Sequence, residues 1–454
     1  MVENISTKSF VAEPETNSLK RITGKIRNGE LSLKSYIAQI RKRFELVEPH
    51  IKAFLDEPNR FERLHREAKQ LEAQYDKKNK LPLLYGIPVG IKDLFNVDGF
   101  ETKAGSNLPS DIFKAPEGQA VKAIKSAGAL ILGKTVTTEF AYFTPGPTCN
   151  PHNLNHTPGG SSSGSAAAVA SGLTPFALGT QTIGSIIRPA AFCGIVGFKP
   201  SQNRIATNGI VPFSPNIDQI GFFTSDVESA ELAASVLCEK WSALQETNEV
   251  NPAFSKKRSA GTLCVPEGVY LQKSQPEALA HFEKAVERLK NIGFEIIRID
   301  MMKNFEAIVH NHNTLIAAEA AIVHKNWFEK YSHLYNPKTI ELILKGRSVN
   351  ENEIGDCKNS RTLFRSELIE MMVRHQLTAF ITPSTVGHAP HGLDSTGDPI
   401  MNLPWTFSGL PAINLPVGKF ANGLPFGLQV VGNYWKDEEL LKIASVIESS
   451  LRDS

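Results

Sequence analysis

The chain has 454 residues, 41% of them hydrophobic, and its 49 basic and 47 acidic residues leave a net charge of +2. That composition suits a globular protein with a sizeable core, and the even charge balance argues against a nucleic-acid or membrane-surface partner held by bulk charge. Five scattered cysteines (Cys149, Cys193, Cys238, Cys264, Cys357) form no C-x-x-C pair, so core thiols in a reducing compartment are expected, not disulfides or a zinc site.

The first residues, MVENISTKSFVAEPETN, hold no apolar signal-like stretch. No run approaches the ~18 apolar residues of a membrane helix, so a cytoplasmic protein is expected. Residues 18–57 read as two amphipathic helices, with Leu19, Ile22, Ile26 and then Tyr36, Ile37, Ile40, Phe44 and Val47 at three-to-four spacing. Lys77–Lys80 is a charged, loop-like break.

From about residue 84 the pattern changes. Ile87–Ile91, Ala129–Leu132 and Pro175–Leu178 are short apolar strand candidates, with helices expected at 117–127 and over the Ala-rich Ser162–Ser171. The alternation resumes with strands at Thr262–Val265, Phe294–Ile299 and Thr378–Ile381, and helices at 275–291 and 361–376. Strands at Ala412–Leu415 and Gly427–Val431 and a helix at 437–451 close the chain. This alternation predicts an α/β fold: a single large domain over 1–454, with a mixed, largely parallel central sheet covered by helices on both faces. Within it, 18–57 is a helical N-terminal part, 84–210 the chemical core and 240–258 a surface excursion. The basic run Lys256-Lys257-Arg258 after Ser255 reads as a solvated loop.

Three segments carry chemistry. Lys92, in Gly90-Ile91-Lys92-Asp93, follows an apolar strand. Most lysines in that position are simply exposed, but a buried one loses its proton readily and becomes a general base near neutral pH. The second segment, Gly159-Gly160-Ser161-Ser162-Ser163-Gly164-Ser165, runs into Ala166–Ala170. A flexible linker would have that composition, yet so would the N-terminus of a helix with exposed N–H groups. Gly160-x-Ser162-x-Gly164 matches a nucleophile elbow, but that motif needs a preceding strand, and Asn150–Pro158 is polar and Pro-broken, so the match is read as accidental. In the third segment, Gly179-Thr180-Gln181-Thr182-Ile183-Gly184-Ser185, small residues let a substrate approach the backbone closely.

Together these residues resemble the amidase signature family. The resemblance runs from Leu84–Asp93 to Gly423–Gln429 and is densest over Thr157–Pro200, where Pro189–Gly194 and Gly197–Pro200 also match. It implies a Ser–cis-Ser–Lys triad: Ser185 as nucleophile, Ser161, preceded by a cis peptide, as the bridging serine, and Lys92 as base. The backbone N–H groups of Thr182, Ile183, Gly184 and Ser185 are then candidates for the oxyanion hole. The implied activity is hydrolysis of a carboxamide or related C–N bond through a seryl acyl-enzyme, without cofactor or metal. The expected partner is a small-molecule amide, with no nucleic acid or membrane, and a homodimer is compatible with this. Tyr142, Phe143 and Trp405, which packing alone would explain, are the expected substrate contacts.

The chain departs from the family pattern beside the nucleophile. Gln181 stands where Asp is usual, Ile183 where Gly is usual and Ile187 where Arg is usual, with Arg188 one step later. An ion pair is thereby expected to have become a neutral contact, and Ile183 to narrow the floor of the site. The alternative is the glutaminase-type subunit of a tRNA-dependent amidotransferase. Its usual Gly-Gly-Ser-Ile-Arg-Gln run is absent here. A catalytically dead scaffold is disfavoured by Lys92, Ser161 and Ser185 occurring together, and an α/β-hydrolase esterase by the missing strand. His388, His391 and Asp394 lie in a Pro/Gly loop without clear ligand spacing, and Cys193 reads as an inert core thiol. Residues 300–360, with His310, Trp327 and Tyr331, are expected to help set specificity.

Overall fold

The structure, a computed structural model, describes residues 9–75, 81–242 and 260–451. The Lys77–Lys80 break, Ser255 with the basic run after it, and nearly all of the 240–258 excursion lie outside the described residues. Ten strands form one sheet: β1 Pro88–Lys92, β2 Leu130–Thr135, β3 Ala177–Gln181, β4 Val196–Lys199, β5 Gln219–Thr224, β6 Thr262–Glu267, β7 Glu295–Asp300, β8 Ala379–Pro383, β9 Ala412–Lys419 and β10 Pro425–Val431. Their spatial order is β2-β1-β3-β5-β4-β9-β10-β8-β6-β7. Pairing is parallel at both ends, through β2-β1-β3 and β8-β6-β7, and antiparallel through the middle.

Every residue of β1, β2, β3, β4, β5, β8 and β10 is buried, so helices and loops cover both faces of most of the sheet. Successive strand residues feed two separate cores, as the alternation of side chains demands. Leu178, Leu263, Ile381 and Ile413 join the core built with the N-terminal helices and the last helix. Ala177, Cys264, Phe380 and Ala412 join the core that holds Ile183, Ile186 and Ile187. The edge strand β7 has no fully buried residue and meets solvent along its length.

The N-terminal helices run over Leu19–Arg27 and Leu33–Ile51, each started by a serine whose side chain accepts a backbone N–H, Ser18 from Arg21 and Ser32 from Ser35. The helix expected at 361–376 starts ten residues earlier, at Glu351, because Asn350 and Glu353 form a reciprocal capping box. Helices at Phe305–Val323 and Pro337–Arg347, not singled out in the sequence, pack against each other and matter to the site. Among the described residues no helix is long and apolar enough to cross a membrane.

Strand β3 lies between a parallel neighbour, β1, and an antiparallel one, β5. The carboxyl ends of β1 and β3 therefore open at the same edge, where loops can diverge and leave a crevice. Lys92 ends β1, and the turn Thr182–Ser185 follows β3.

Candidate active site

Lys92 is 0% exposed. Its Nζ lies 2.7 Å from Ser161 Oγ, 2.8 Å from Thr180 Oγ1 and 3.5 Å from the Thr180 carbonyl. All three contacts are neutral. Burial pulls the amine well below its ordinary 10.5, and the charge opposing that shift is Asp218.

Ser161 follows a cis Gly160–Ser161 peptide, as the family resemblance implied. The glycines before it are sterically required. Gly159 has φ +81°, and a Cβ there would meet Pro189 Cα at 2.8 Å; at Gly160 a Cβ would meet Thr396 Cγ2 at 2.7 Å. Thr138 N–H donates to the Ser161 carbonyl at 3.2 Å. The helix that follows, Ser163–Ala170, is buried throughout, and its serines tie it down. Ser165 donates to the Leu178 carbonyl and Ser163 to the Gly159 carbonyl. Ser162 donates to the Thr180 carbonyl at 3.2 Å, a bracing contact, and among the described residues no strand leads into Gly160. The elbow match is thus a coincidence of spacing.

The turn after β3 is fixed by Gln181. Its Oε1 accepts the N–H groups of Ile186 at 2.7 Å and Ile187 at 3.0 Å, and its Nε2 donates to Thr406 Oγ1 at 2.8 Å. Thr406 Oγ1 in turn donates to the Ile183 carbonyl at 2.6 Å. Among the described residues, none of the N–H groups of Thr182, Ile183, Gly184 and Ser185 is committed to a backbone carbonyl. Thr182 Oγ1 donates to Asp218 Oδ1 at 2.6 Å, and Asp218 Oδ2 accepts the N–H groups of Phe213 and Ser214. Desolvation raises the Asp218 carboxyl to about 6, against these hydrogen bonds. Ser185 closes the turn at 6% exposure.

A cavity of about 340 Å3 adjoins this turn through Ile183. Tyr142 and Phe143 stand on its wall, and Val309, Asn313 and Ile316 present one face of the Phe305–Val323 helix to it. Its charged lining residues, Lys338, Glu341, Lys345 and Asp398, are all exposed. Trp405 is placed elsewhere: it is fully buried, outside the cavity lining, and its Nε1 donates to Tyr270 Oη at 2.8 Å. An indole N–H in a core needs such a partner, which draws the ring inward. The 300–360 region does reach the cavity, but through Val309, Asn313 and Ile316 and the 337–347 helix. His310 is exposed, and Trp327 packs on Phe113. The His391 ring lies 5.3 Å from His156, and among the described residues no three His, Cys, Asp or Glu side chains stand so as to hold a metal. Cys193 is buried, its thiol pushed up by desolvation.

Three polar residues at the site were not given a role from the sequence: Thr180, Asp218 and Arg188. Thr180 belongs to a buried strand, and Asp218 sits in the mixed stretch Asn216-Ile217-Asp218-Gln219, which carries no signal that sets it apart.

A family model described as Amidase matches residues 36–441. A glutamyl-tRNA(Gln) amidotransferase subunit from Koribacter versatilis is 29% identical, over 90% of this chain and 93% of that protein. The protein of the same name from Moorella thermoacetica is also 29% identical, over 93% and 94%. A solved crystal structure of an amidase superposes with a TM-score of 0.84 at 28% identity, over 96% of this chain and 100% of that one. With a family model spanning most of its length and a matching fold, the chain belongs to the amidase family.

Proposed function

We propose that this protein hydrolyses a carboxamide bearing a largely apolar acyl group, using Ser185 as nucleophile, Ser161 as relay and Lys92 as base. The observation that carries the reading is the Lys92 amine, wholly buried among neutral groups and 2.7 Å from Ser161 Oγ. Neutral Lys92 accepts the Ser161 proton as Ser161 accepts that of Ser185, and the Ser185 oxygen attacks the amide carbon. The uncommitted N–H groups of the 182–185 turn receive the oxyanion. The proton returns along the relay to the leaving nitrogen, the C–N bond breaks, and ammonia or an amine departs. Water then gives up a proton to the same relay, attacks the acyl-enzyme and releases the acid. No cofactor enters these steps.

The cavity supports an apolar acyl group because Tyr142, Phe143, Ile183, Val309 and Ile316 form its walls, while its charged residues lie at the exposed rim. A second reading, the glutaminase component of an amidotransferase, is favoured by the names of the relatives above. Glutamine carries an ammonium and a carboxylate, and among the described residues no buried charged side chain lines this cavity to pair with them. The deciding experiment is a panel of aliphatic and aryl amides, ureas, esters and glutamine, assayed on the purified chain with Ser185→Ala as control. Turnover of apolar amides by the chain alone is expected. Activity confined to glutamine in the presence of partner subunits and charged tRNA would establish the second reading instead.

A further inference from the structure

Arg188 stands in the first turn of the helix that follows Ser185, and its backbone N–H donates to the Gly184 carbonyl at 3.0 Å. It is 2% exposed. Among the described residues the guanidinium makes no contact with a carboxylate. Its Nη2 donates to the Gly160 carbonyl at 2.7 Å and to Thr396 Oγ1 at 3.1 Å, and its Nη1 donates to the Gly397 carbonyl at 2.8 Å. Burial depresses it to about 10, opposed by the charge of Asp398. A desolvated cation held by neutral acceptors is an expensive way to fill a core, so its geometry calls for an explanation.

The three segments it joins are interlocked. Gly160 packs against Thr396, Gly159 against Pro189 and Phe192, and a Cβ at Gly397 would meet Phe192 at 2.8 Å. Gly160 is the residue directly before Ser161, and Thr396–Gly397 leads directly into Asp398, Pro399 and Ile400 on the cavity wall. The peptides on either side of Ser161 are thus both pinned: the Ser161 carbonyl by Thr138 N–H, and the Gly160 carbonyl by a cation rooted beside Ser185.

We infer that Arg188 is a positioning residue for amide cleavage, setting the Ser161 hydroxyl in register between Lys92 and Ser185 by holding the Gly160 carbonyl from the helix that follows Ser185. The inference rests on the relay role proposed for Ser161. The forked guanidinium suits the task because it can hold acceptors on two loops at once, which a lysine ammonium at the same place does poorly. Arg188 itself touches no reacting atom. Misplacement of a catalytic group by about 1 Å costs about 10²-fold in rate, and that is the size of effect the geometry predicts.

The test compares wild type, Arg188→Met and Arg188→Lys in two assays: steady-state amide hydrolysis, and the rate at which a fluorophosphonate labels Ser185, with the labelled residue identified by mass spectrometry. Folding is checked by circular dichroism and thermal melting. For folded R188M the expected result is a fall of about 10²-fold in kcat with KM changed little, and a parallel fall in labelling rate. R188K should recover part of both, and millimolar methylguanidinium should speed the smaller variant Arg188→Gly. A folded R188M with kcat and labelling within twofold of wild type overturns the inference, as does a loss confined to KM. If R188M does not fold, R188K and Arg188→Gln decide by the same criteria. If no variant at 188 folds, the residue is a structural cation and the inference falls. Wild type that is not labelled at Ser185 and hydrolyses no amide would instead overturn the proposed function, an outcome separate from any behaviour of the variants.

Discussion

Replacing Lys92 with methionine should abolish turnover and at the same time stabilise the fold at neutral pH. The amine is fully buried among neutral contacts, and burial holds it well below the ordinary 10.5. To serve as a base it must be neutral, so folding at about pH 7.5 removes a proton that the unfolded chain keeps. Each pH unit below 10.5 costs about 1.4 kcal/mol, which makes about 4 kcal/mol over the three units. Methionine escapes that cost and fills a similar volume. It leaves the Ser161 and Thr180 hydroxyls without their amine partner, at about 1–1.5 kcal/mol each. The net gain for Lys92→Met is then about 1–2 kcal/mol at neutral pH. The sign of the pH dependence follows from a folded pKa below the unfolded one. Wild type gains stability, relative to the variant, as pH rises from the folded value toward 10.5. The advantage of the variant should shrink by about 1.4 kcal/mol per pH unit and vanish near about pH 8–9. Urea unfolding of both proteins at about pH 7, 8 and 9 measures the difference directly, and other titrating groups cancel between them. A difference that does not move with pH would refute a neutral Lys92, and wild-type turnover by Lys92→Met would refute its role as base.

Asp218→Asn removes the negative charge that opposes proton loss from Lys92, so the acid limb of the kcat/KM profile should move to lower pH, by about one unit or less; a limb that moves up or stays fixed contradicts the coupling. Gln181→Met strips the acceptor from the Ile186 and Ile187 N–H groups and should destabilise the protein by about 2–3 kcal/mol in urea unfolding, while Gln181→Glu, which keeps the acceptor, should lose less. Ile183→Ala opens the cavity next to the nucleophile turn and should raise kcat/KM for branched or aryl amides about tenfold relative to acetamide, a selectivity shift readable in one competition assay.

The sequence is most legible where burial leaves an unambiguous pattern. Ile87–Ile91 and Gly427–Val431 are covered on both faces and read as unbroken apolar runs, so β1 and β10 emerge within a residue or two. Strands β4 and β5 do not. Val196–Lys199 has four residues and ends in a lysine that looks solvent-facing, yet Lys199 is buried, donates to Gln219 Oε1 at 2.7 Å and is depressed by desolvation to about 7. Those two strands take part in three of the five antiparallel pairings in the middle of the sheet, which alternation of strands and helices cannot reveal. The same limit holds at the site. Ser161 and Ser185 announce themselves through Gly-rich local sequence and Lys92 through the apolar strand before it, whereas the acceptors of Arg188 lie 28 and 209 positions away, and its place one step past the usual arginine gives no hint of direction. Trp405 is misplaced for a related reason: an aromatic residue fits a cavity wall and a core equally well until its N–H partner, Tyr270, is known.

The unusual residues beside Ser185 make sense as a redistribution of charge. Gln181 meets both demands of its position without a charge, its oxygen serving two N–H groups and its nitrogen serving Thr406. Ile187, buried and apolar, then has no counter-ion to satisfy. The carboxylate that does touch the turn is Asp218, reached through the Thr182 hydroxyl, and it is also the charge that favours a protonated Lys92. A relay base has two opposed requirements: it must be neutral when substrate arrives and must hold a proton while the tetrahedral intermediate exists. In the mechanism proposed for Lys92, burial among hydroxyls supplies the first and Asp218 the second. The buried cation of this region is Arg188, whose guanidinium donates to the Gly160 carbonyl, so that on the inference above it orders Ser161 without adding a positive charge to the contacts of Lys92. If Lys92 and Ser161 act as proposed, keeping the base neutral and the relay rigid are separate jobs of separate residues, so a variant at Asp218 should move the pH profile and a variant at Arg188 should lower its height.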